Sequence, residues 1–260
     1  MNPGTDSPSD AVVLTFDNLG EATELERGTW PAGRPLGRHP SVRLALPRLL
    51  AALDTAGLSA TFFVEAINCQ LNPQALREIS ARGHELGMHG WRHETWAELP
   101  ADQERELLER GTGAFAELGL PVAAFRPPGG ELTERTAALL GELGYRWCSP
   151  VGGRATVDER LALVPFEWEL VDAYYLMESF AQLRGGGPPL PAGEVADRMT
   201  DALLGGSGSP RTLILHPFLM VDEQWWVGTQ RLLQTVAHLV GEGRVWAGPG
   251  GRFVDRLRGK

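Results

Sequence analysis

Lysine is almost missing from this 260-residue sequence, occurring once at Lys260 while arginine supplies the other basic residues. A Schiff-base or other lysine-centred mechanism is therefore set aside unless the chain terminus is catalytic. Cysteine is scarce as well: Cys69 and Cys148 stand apart, without the spacing of a metal site or a disulfide framework, and are expected to be buried thiols. No apolar run approaches the ~18 to 20 residues of a membrane span. The net charge of −9 argues against nucleic acid or an anionic membrane surface as partner, because those need a basic stripe. The opening residues, MNPGTDSPSD, lack the basic and apolar regions of a secretory signal, so the chain is expected in the cytoplasm. There is no Gly-x-Ser-x-Gly elbow, and neither cysteine neighbours a motif histidine, which leaves nucleophilic Ser or Cys chemistry without support.

What is present is an ordinary globular composition, 43% hydrophobic and 22% charged, with a regular alternation of short apolar runs and longer amphipathic segments. Strands are expected over residues 11–16, 60–64, 85–88, 122–125, 146–149, 161–166, 212–215 and 244–246. Helices are expected over 42–55, 73–81, 102–118, 133–143, 192–204, 226–240 and 253–258. Such alternation implies a parallel sheet with crossover helices, either an open doubly wound sheet or a closed barrel. Residues 1–10 are expected to be a flexible start and residues 11–260 one domain, because the glycine-rich stretches RGGGPPLPAG and GGSGS lack the flanking shift in composition that marks a linker. The charged run DQERELLER reads as the solvated face of a helix.

The position of the polar residues carries more information than their number. Asp17 follows VVLTF, His89 follows ELGM, Arg126 follows VAAF and His216 follows TLIL, so each stands where an expected strand has just ended. In a parallel barrel those strand ends converge on the face that carries chemistry. A single Asp or His after a strand is more often a turn or capping residue. His89 and His93 are four apart, and this spacing predicts two imidazoles on one face of a helical turn, within reach of one metal ion. His39, His84 and His238 have no such context and are expected to be structural or exposed.

The segments TFDN (15–18), HGWRH (89–93), FRPPGG (125–130) and LILHP (213–217), in that order, resemble the motifs of the NodB-like polysaccharide deacetylases of carbohydrate esterase family 4. GLSATFFV, EWELVDAYY and GRVWAGPGGRF resemble in particular the branch with allantoinase-like, cyclic-imide-hydrolase-like and peptidoglycan-deacetylase-like members. The resemblance implies an α/β fold, a distorted (β/α)7 barrel, and a metal-dependent hydrolase of C–N bonds other than peptide bonds. It assigns His89 and His93 as metal ligands, Asp17 as the carboxylate that activates water, Arg126 as the group that orients Asp17, and His216 as the acid for the leaving amine. The implied cofactor is a divalent ion, zinc first, with cobalt, nickel or manganese as alternatives.

One position departs from the pattern. Many members carry two adjacent aspartates, a base and a ligand, whereas here Asp17 is followed by Asn18. Asn18 is then either an uncharged ligand or a residue that shapes the turn, and Asp17 is either base or ligand. Trp168, Asp172, Tyr174 and Tyr175 are expected to contact substrate, as aromatics stack on ring faces. Trp96, Trp225 and Trp226 are expected to wall the pocket, and the Pro128–Gly129 turn to offer backbone donors to an oxyanion. The substrate expected is a small or glycan-like amide, imide or N-acetyl compound, with a homo-oligomer as the expected assembly. The rival readings are a non-hydrolytic cyclase or isomerase on the same scaffold and a catalytically inactive binding module.

Overall fold

A computed structural model describes residues 10–205 and 210–260. The flexible start expected over residues 1–10 and the GGSGS loop therefore lie almost wholly outside the described residues. The strands are β1 (Ala11–Asp17), β2 (Thr61–Val64), β3 (Glu85–Met88), β4 (Ala124–Phe125), β5 (Trp147–Cys148), β6 (Ala162–Leu163), β7 (Arg211–Leu215) and β8 (Trp246–Gly248). The helices are α1 (Ala22–Glu26), α2 (Leu46–Ala56), α3 (Asn68–Leu71), α4 (Pro73–Ala81), α5 (Ala101–Glu117), α6 (Glu134–Glu142), α7 (Asp172–Leu176), α8 (Ala192–Gly205), α9 (Glu223–Gly241) and α10 (Gly250–Leu257). Expected and observed elements coincide closely, α4 to the residue. The strands expected over 122–125, 146–149 and 161–166 are each only two residues long, and α1, α3 and α7 lie where no helix was expected.

Every strand ladder is parallel, in the order β6-β5-β4-β3-β2-β1-β7. β8 pairs with β1 at residues 11–13, below the point where β2 takes over at Thr15. The sheet curls until its two ends meet. Thr212 Oγ1 donates to the Pro165 carbonyl at 2.7 Å, and Val171 bridges Ile214, so the stretch beyond β6 closes against β7. This is the distorted barrel that the resemblance implies, and it decides against the open sheet. Among the described residues, no helix is long and apolar enough to cross a membrane.

Period-two alternation divides the side chains. Val12, Leu14 and Phe16 face outward into the large core shared with the helices, where Leu46, Leu49, Leu50 and Leu53 of α2 form one buried stripe. Ala11, Val13, Phe63, Ala124, Trp147, Ala162 and Val164 fill the barrel interior, closed from below by Phe253 and Val254 of α10. The α10 backbone is docked there by Gly250 N–H on Thr61 Oγ1 and Gly251 N–H on the Glu85 carboxylate, both at 2.9 Å. Continued two residues further, the same alternation carries the side chains that follow Thr15, Phe63, Gly87, Ala124, Trp147 and Ile214 to the open upper end.

Barrel closure depends on a buried hydroxyl. Thr212→Val keeps the shape of the side chain but strands the Pro165 carbonyl, and is expected to lower unfolding free energy by about 1–2 kcal/mol. A denaturant midpoint unchanged from the parent would show that this contact does not hold the seam.

Candidate active site

Those two-residue steps place Asp17, Glu65, His89, Arg126, Ser149 and His216 together at the top of the barrel, all buried. Arg126 is at the centre. Its Nη1 donates to Thr15 Oγ1 at 2.9 Å and to Asp17 Oδ1 at 2.5 Å, and its Nη2 donates to Ser149 Oγ at 2.8 Å. The guanidinium lies over the rings of Phe63 and Phe166, 4.3 and 5.3 Å from their centres. Burial pulls the pKa of Arg126 down while the Asp17 charge opposes the shift, and an arginine remains a cation under such conditions.

His89 and His93 are not on a helical turn. Residues 89–95 are irregular backbone, with Gly90 at φ 72° and His93 itself in the left-handed region at φ 75°. A side chain at Gly90 would meet a Glu94 carboxylate oxygen at 2.7 Å and Pro128 Cγ at 3.1 Å, so the turn is too tight for the expected helix. Glu94 holds it by accepting from Trp91 N–H and Arg92 N–H at 2.9 and 2.8 Å. The imidazoles meet nonetheless, edge to face, with centres 4.9 Å apart. The two rings meet as their spacing predicts, but through a glycine turn and not a helical one.

His89 Nδ1–H donates to the Arg126 carbonyl at 2.8 Å, which leaves Nε2 bare and 4.0 Å from Asp17 Oδ2. Burial presses the pKa values of His89 and His93 down to about 3, so both rings are neutral. Neutral imidazole with its second nitrogen tied to a carbonyl is the form that binds a metal ion. His89, His93 and the Asp17 Oδ2 that Arg126 leaves free are donors of the chemical kind a divalent ion takes. Among the described residues, no group of three or more His, Cys, Asp or Glu side chains stands placed to hold a metal ion. The Asn18 amide nitrogen is engaged: Nδ2 donates to Glu65 Oε1 at 2.8 Å and to Thr23 Oγ1 at 3.1 Å.

His216 is in the opposite electrostatic state. Burial, the largest influence, favours its neutral form, but Asp172 more than offsets it and the pKa is raised. Asp172 Oδ1 lies 2.5 Å from His216 Nδ1, and Oδ2 accepts from His216 N–H at 2.9 Å and from Trp225 Nε1–H at 3.1 Å. The expectation that Asp172 contacts substrate is therefore corrected, because its carboxylate is fully buried and wholly engaged behind His216. Trp96 is also core rather than pocket wall, packed on Phe125 with ring centres 4.9 Å apart, and Trp225 is buried on Asp172. Trp226 lies on the outer surface under the Arg48 guanidinium. Tyr175 is buried, with its hydroxyl on the Glu169 carbonyl at 3.3 Å.

Trp168 and Tyr174 stay half-buried, their rings stacked 6.2 Å apart beside Phe166 and Phe180. Pro128 is buried against the Gly90 turn and Gly129 is exposed at its tip. His39 and His84 are buried, the former between Ser41 and Glu24, and His238 is exposed beside Glu242. Glu65 was missed by motif reading. Its signal was present, since it stands two residues beyond the inward-facing Phe63, as Asp17 does beyond Thr15.

The strand ends of a parallel barrel thus bring together an arginine-bound aspartate, two imidazoles and a carboxylate-backed histidine, groups able to bind and exchange protons. The polysaccharide deacetylase family model matches residues 4–148, more than half of the sequence, and the chain belongs to that family. A peptidoglycan-N-acetylglucosamine deacetylase of Bacillus cereus is 30% identical over 102 residues, 38% of this chain and 47% of that protein, so the match spans less than half of that relative. A Mycobacterium smegmatis structure described only as a candidate polysaccharide deacetylase shares the fold at a TM-score of 0.80 with 24% identity, over 98% of this chain and 93% of the other. A PuuE allantoinase shares it at 0.75 with 17% identity, over 100% and 95%.

Because its folded pKa is raised, His216 contributes stability that is fully present below the unfolded value of about 6.5 and fades as pH rises through the folded value. Asp172→Asn removes the charge that sustains the imidazolium. The His216 titration followed by NMR is expected to move to lower pH, with loss of the extra stability under acidic conditions. An unmoved midpoint would exclude Asp172 as its cause.

Proposed function

We propose that this chain hydrolyses a non-peptide C–N bond, of the amide, N-acetyl or imide kind, in a small-molecule or glycan-like substrate, with a divalent metal ion as cofactor. The observation that carries this reading is the geometry of one site: His89 Nδ1 tied to the Arg126 carbonyl with Nε2 turned to Asp17, the His93 ring against it, and His216 Nδ1 backed by the Asp172 carboxylate. A fold shared over the full chain with both an allantoinase and a deacetylase-type structure is in keeping with a small acyl or ureide substrate. A cytoplasmic setting and a homo-oligomeric state stay part of the same proposal.

His89, His93 and Asp17 Oδ2 would hold the ion, zinc first, with cobalt, nickel and manganese as alternatives. Bound there, it would supply Lewis-acid polarisation of the carbonyl and a lowered pKa for water. The chain's own groups do the rest. Arg126 fixes Asp17 through Oδ1 and fixes His89 through its carbonyl, so the carboxylate and the imidazole keep their mutual orientation. Water adds its oxygen to the carbonyl carbon, the C–N bond breaks, and His216 gives its Nε2 proton to the departing nitrogen. The proton released from the water restores the imidazolium. Trp168 and Tyr174 offer the half-buried ring faces against which a planar or sugar-like substrate packs.

Elemental analysis of protein purified without chelator is expected to find about one equivalent of divalent metal, lost in the His89→Ala/His93→Ala double variant. His216→Ala is expected to keep the metal while turnover on amide, imide or N-acetyl substrates falls about a hundred- to ten-thousandfold. Metal-replete activity that survives in all of these variants would overturn the proposal.

A further inference from the structure

A cluster of buried polar side chains behind the turn after β1 takes no part in the chemistry above. Glu65, Asn68 and Asn72 are all buried, and they form a shelf under residues 18–20. Glu65 Oε1 accepts from Asn18 Nδ2 at 2.8 Å, and Oε2 accepts from Leu19 N–H at 3.2 Å. Asn68 Nδ2 donates to the Leu19 carbonyl at 2.8 Å and reaches Glu65 Oε2 at 3.4 Å. Asn72 Nδ2 donates in turn to Asn68 Oδ1 at 2.8 Å. The turn lies so close that a Cβ on Gly20 would meet Asn68 Oδ1 at 2.7 Å and Asn72 Nδ2 at 2.8 Å.

Asn18 adopts φ 61°, and among the described residues His93 is the only other non-glycine at positive φ. Such a conformation persists where surrounding contacts over-determine it. At Asn18 those contacts are the two bonds to one carboxylate, through its own amide and through the next backbone N–H. An ionised aspartate at position 18 would have no proton to offer Glu65 and would set a second carboxyl group against it. Two carboxyl groups in contact there cannot both be ionised, so an acid at position 18 would stand against Glu65 only by sharing a proton with it, in place of the two bonds that Glu65 now accepts.

We propose that Glu65 is a positioning residue for Asp17: it holds the left-handed turn that presents Asp17 to the metal-binding imidazoles, and Asn18 is the donor Glu65 requires rather than a vacated metal ligand. This inference rests on the proposed function in taking Asp17, His89 and His93 as the metal site. It makes a prediction opposite to the one obtained by reading Asn18 as a lost ligand, for which a restored aspartate tightens metal binding.

The test is zinc affinity by titration calorimetry, with melting temperature beside it, for the parent, Asn18→Asp, Glu65→Gln and the Asn18→Asp/Glu65→Gln exchange. Each single change is expected to weaken zinc binding about ten- to hundredfold, the range for groups that orient a ligand. The exchange is expected to regain most of the loss, because a glutamine amide donates to the new carboxylate while its oxygen still accepts from Leu19 N–H. Tighter zinc binding in Asn18→Asp, or an exchange variant no better than the single ones, would overturn the inference. If Asn18→Asp does not fold, Asn18→Gly keeps the left-handed turn without the amide: weakened zinc binding supports the role of Glu65, and unchanged binding overturns it. A parent that binds no zinc would defeat the proposed function instead. The melting temperatures then decide the pairing, upheld if the exchange is more stable than both single variants and overturned if the losses add.

Discussion

The upper half of this barrel depends on one buried ion pair. Arg126 brings a full positive charge into a space lined by Phe63, Phe166 and strand backbone, and Asp17 is the acid that meets it. Removing either partner would leave the other as an uncompensated buried charge, at a cost of about 3–5 kcal/mol. The fork geometry of a guanidinium matters as much as its charge, because three separate acceptors from β1 and from the end of β5 are engaged by its two terminal nitrogens. The main chain of the same residue orients His89. One side chain and one carbonyl thus set the relative positions of elements that are far apart in sequence.

That arrangement constrains the residues around it. With Asp17 fixed, the chain must leave β1 at once, and it does so through Asn18 in a conformation that side chains rarely adopt. With His89 fixed, the chain must turn again so that His93 returns to it, and His93 takes the second left-handed position. Both turns are underpinned by a buried carboxylate, Glu65 under the first and Glu94 under the second. Burial raises the pKa of both acids, that of Glu65 to about 8, which measures how little each is compensated apart from the hydrogen bonds it accepts. Among the described residues, left-handed non-glycine backbone is confined to these two turns, whereas buried acids also occur elsewhere, Glu104 of α5 lying fully buried against Arg135 and Thr136. The helices around the site follow ordinary apolar periodicity.

The contrast explains what could be read from the sequence. Strand ends marked by Asp17, His89, Arg126 and His216 were legible because apolar runs end visibly, and α4 was legible because Pro73 opens it and its stripe is regular. The motif spacing of His89 and His93 was legible as a pair but not as a shape, since a tight glycine turn and a helical turn can bring the same two rings together. Trp96, Asp172 and Tyr175 look from sequence like pocket residues, yet they are buried, because an aromatic or an acid near a motif serves equally well to support it from behind. Glu65 escaped notice for a different reason. The strand was read as ending at Val64, and a glutamate after a strand resembles a solvated loop residue until the two-residue alternation is carried past the strand's end.

The same distinction separates the three histidines that meet in the site. Their rings are chemically identical, and His89 and His216 are buried while His93 is half-buried, so burial favours the neutral form of each. What stands behind each differs. A backbone carbonyl accepts from His89 Nδ1 and fixes its tautomer without adding a full charge, whereas the Asp172 carboxylate behind His216 brings a negative charge that burial makes more effective. A neutral acceptor thus yields a ring that offers a lone pair, and an anionic acceptor yields a ring that offers a proton. Asp172 is itself stabilised by Trp225 Nε1–H from α9, so the charge on His216 depends on a helix packed outside the barrel. The chemical identity of each histidine is set by the group on its far side, and that group is placed by the fold rather than by the local motif.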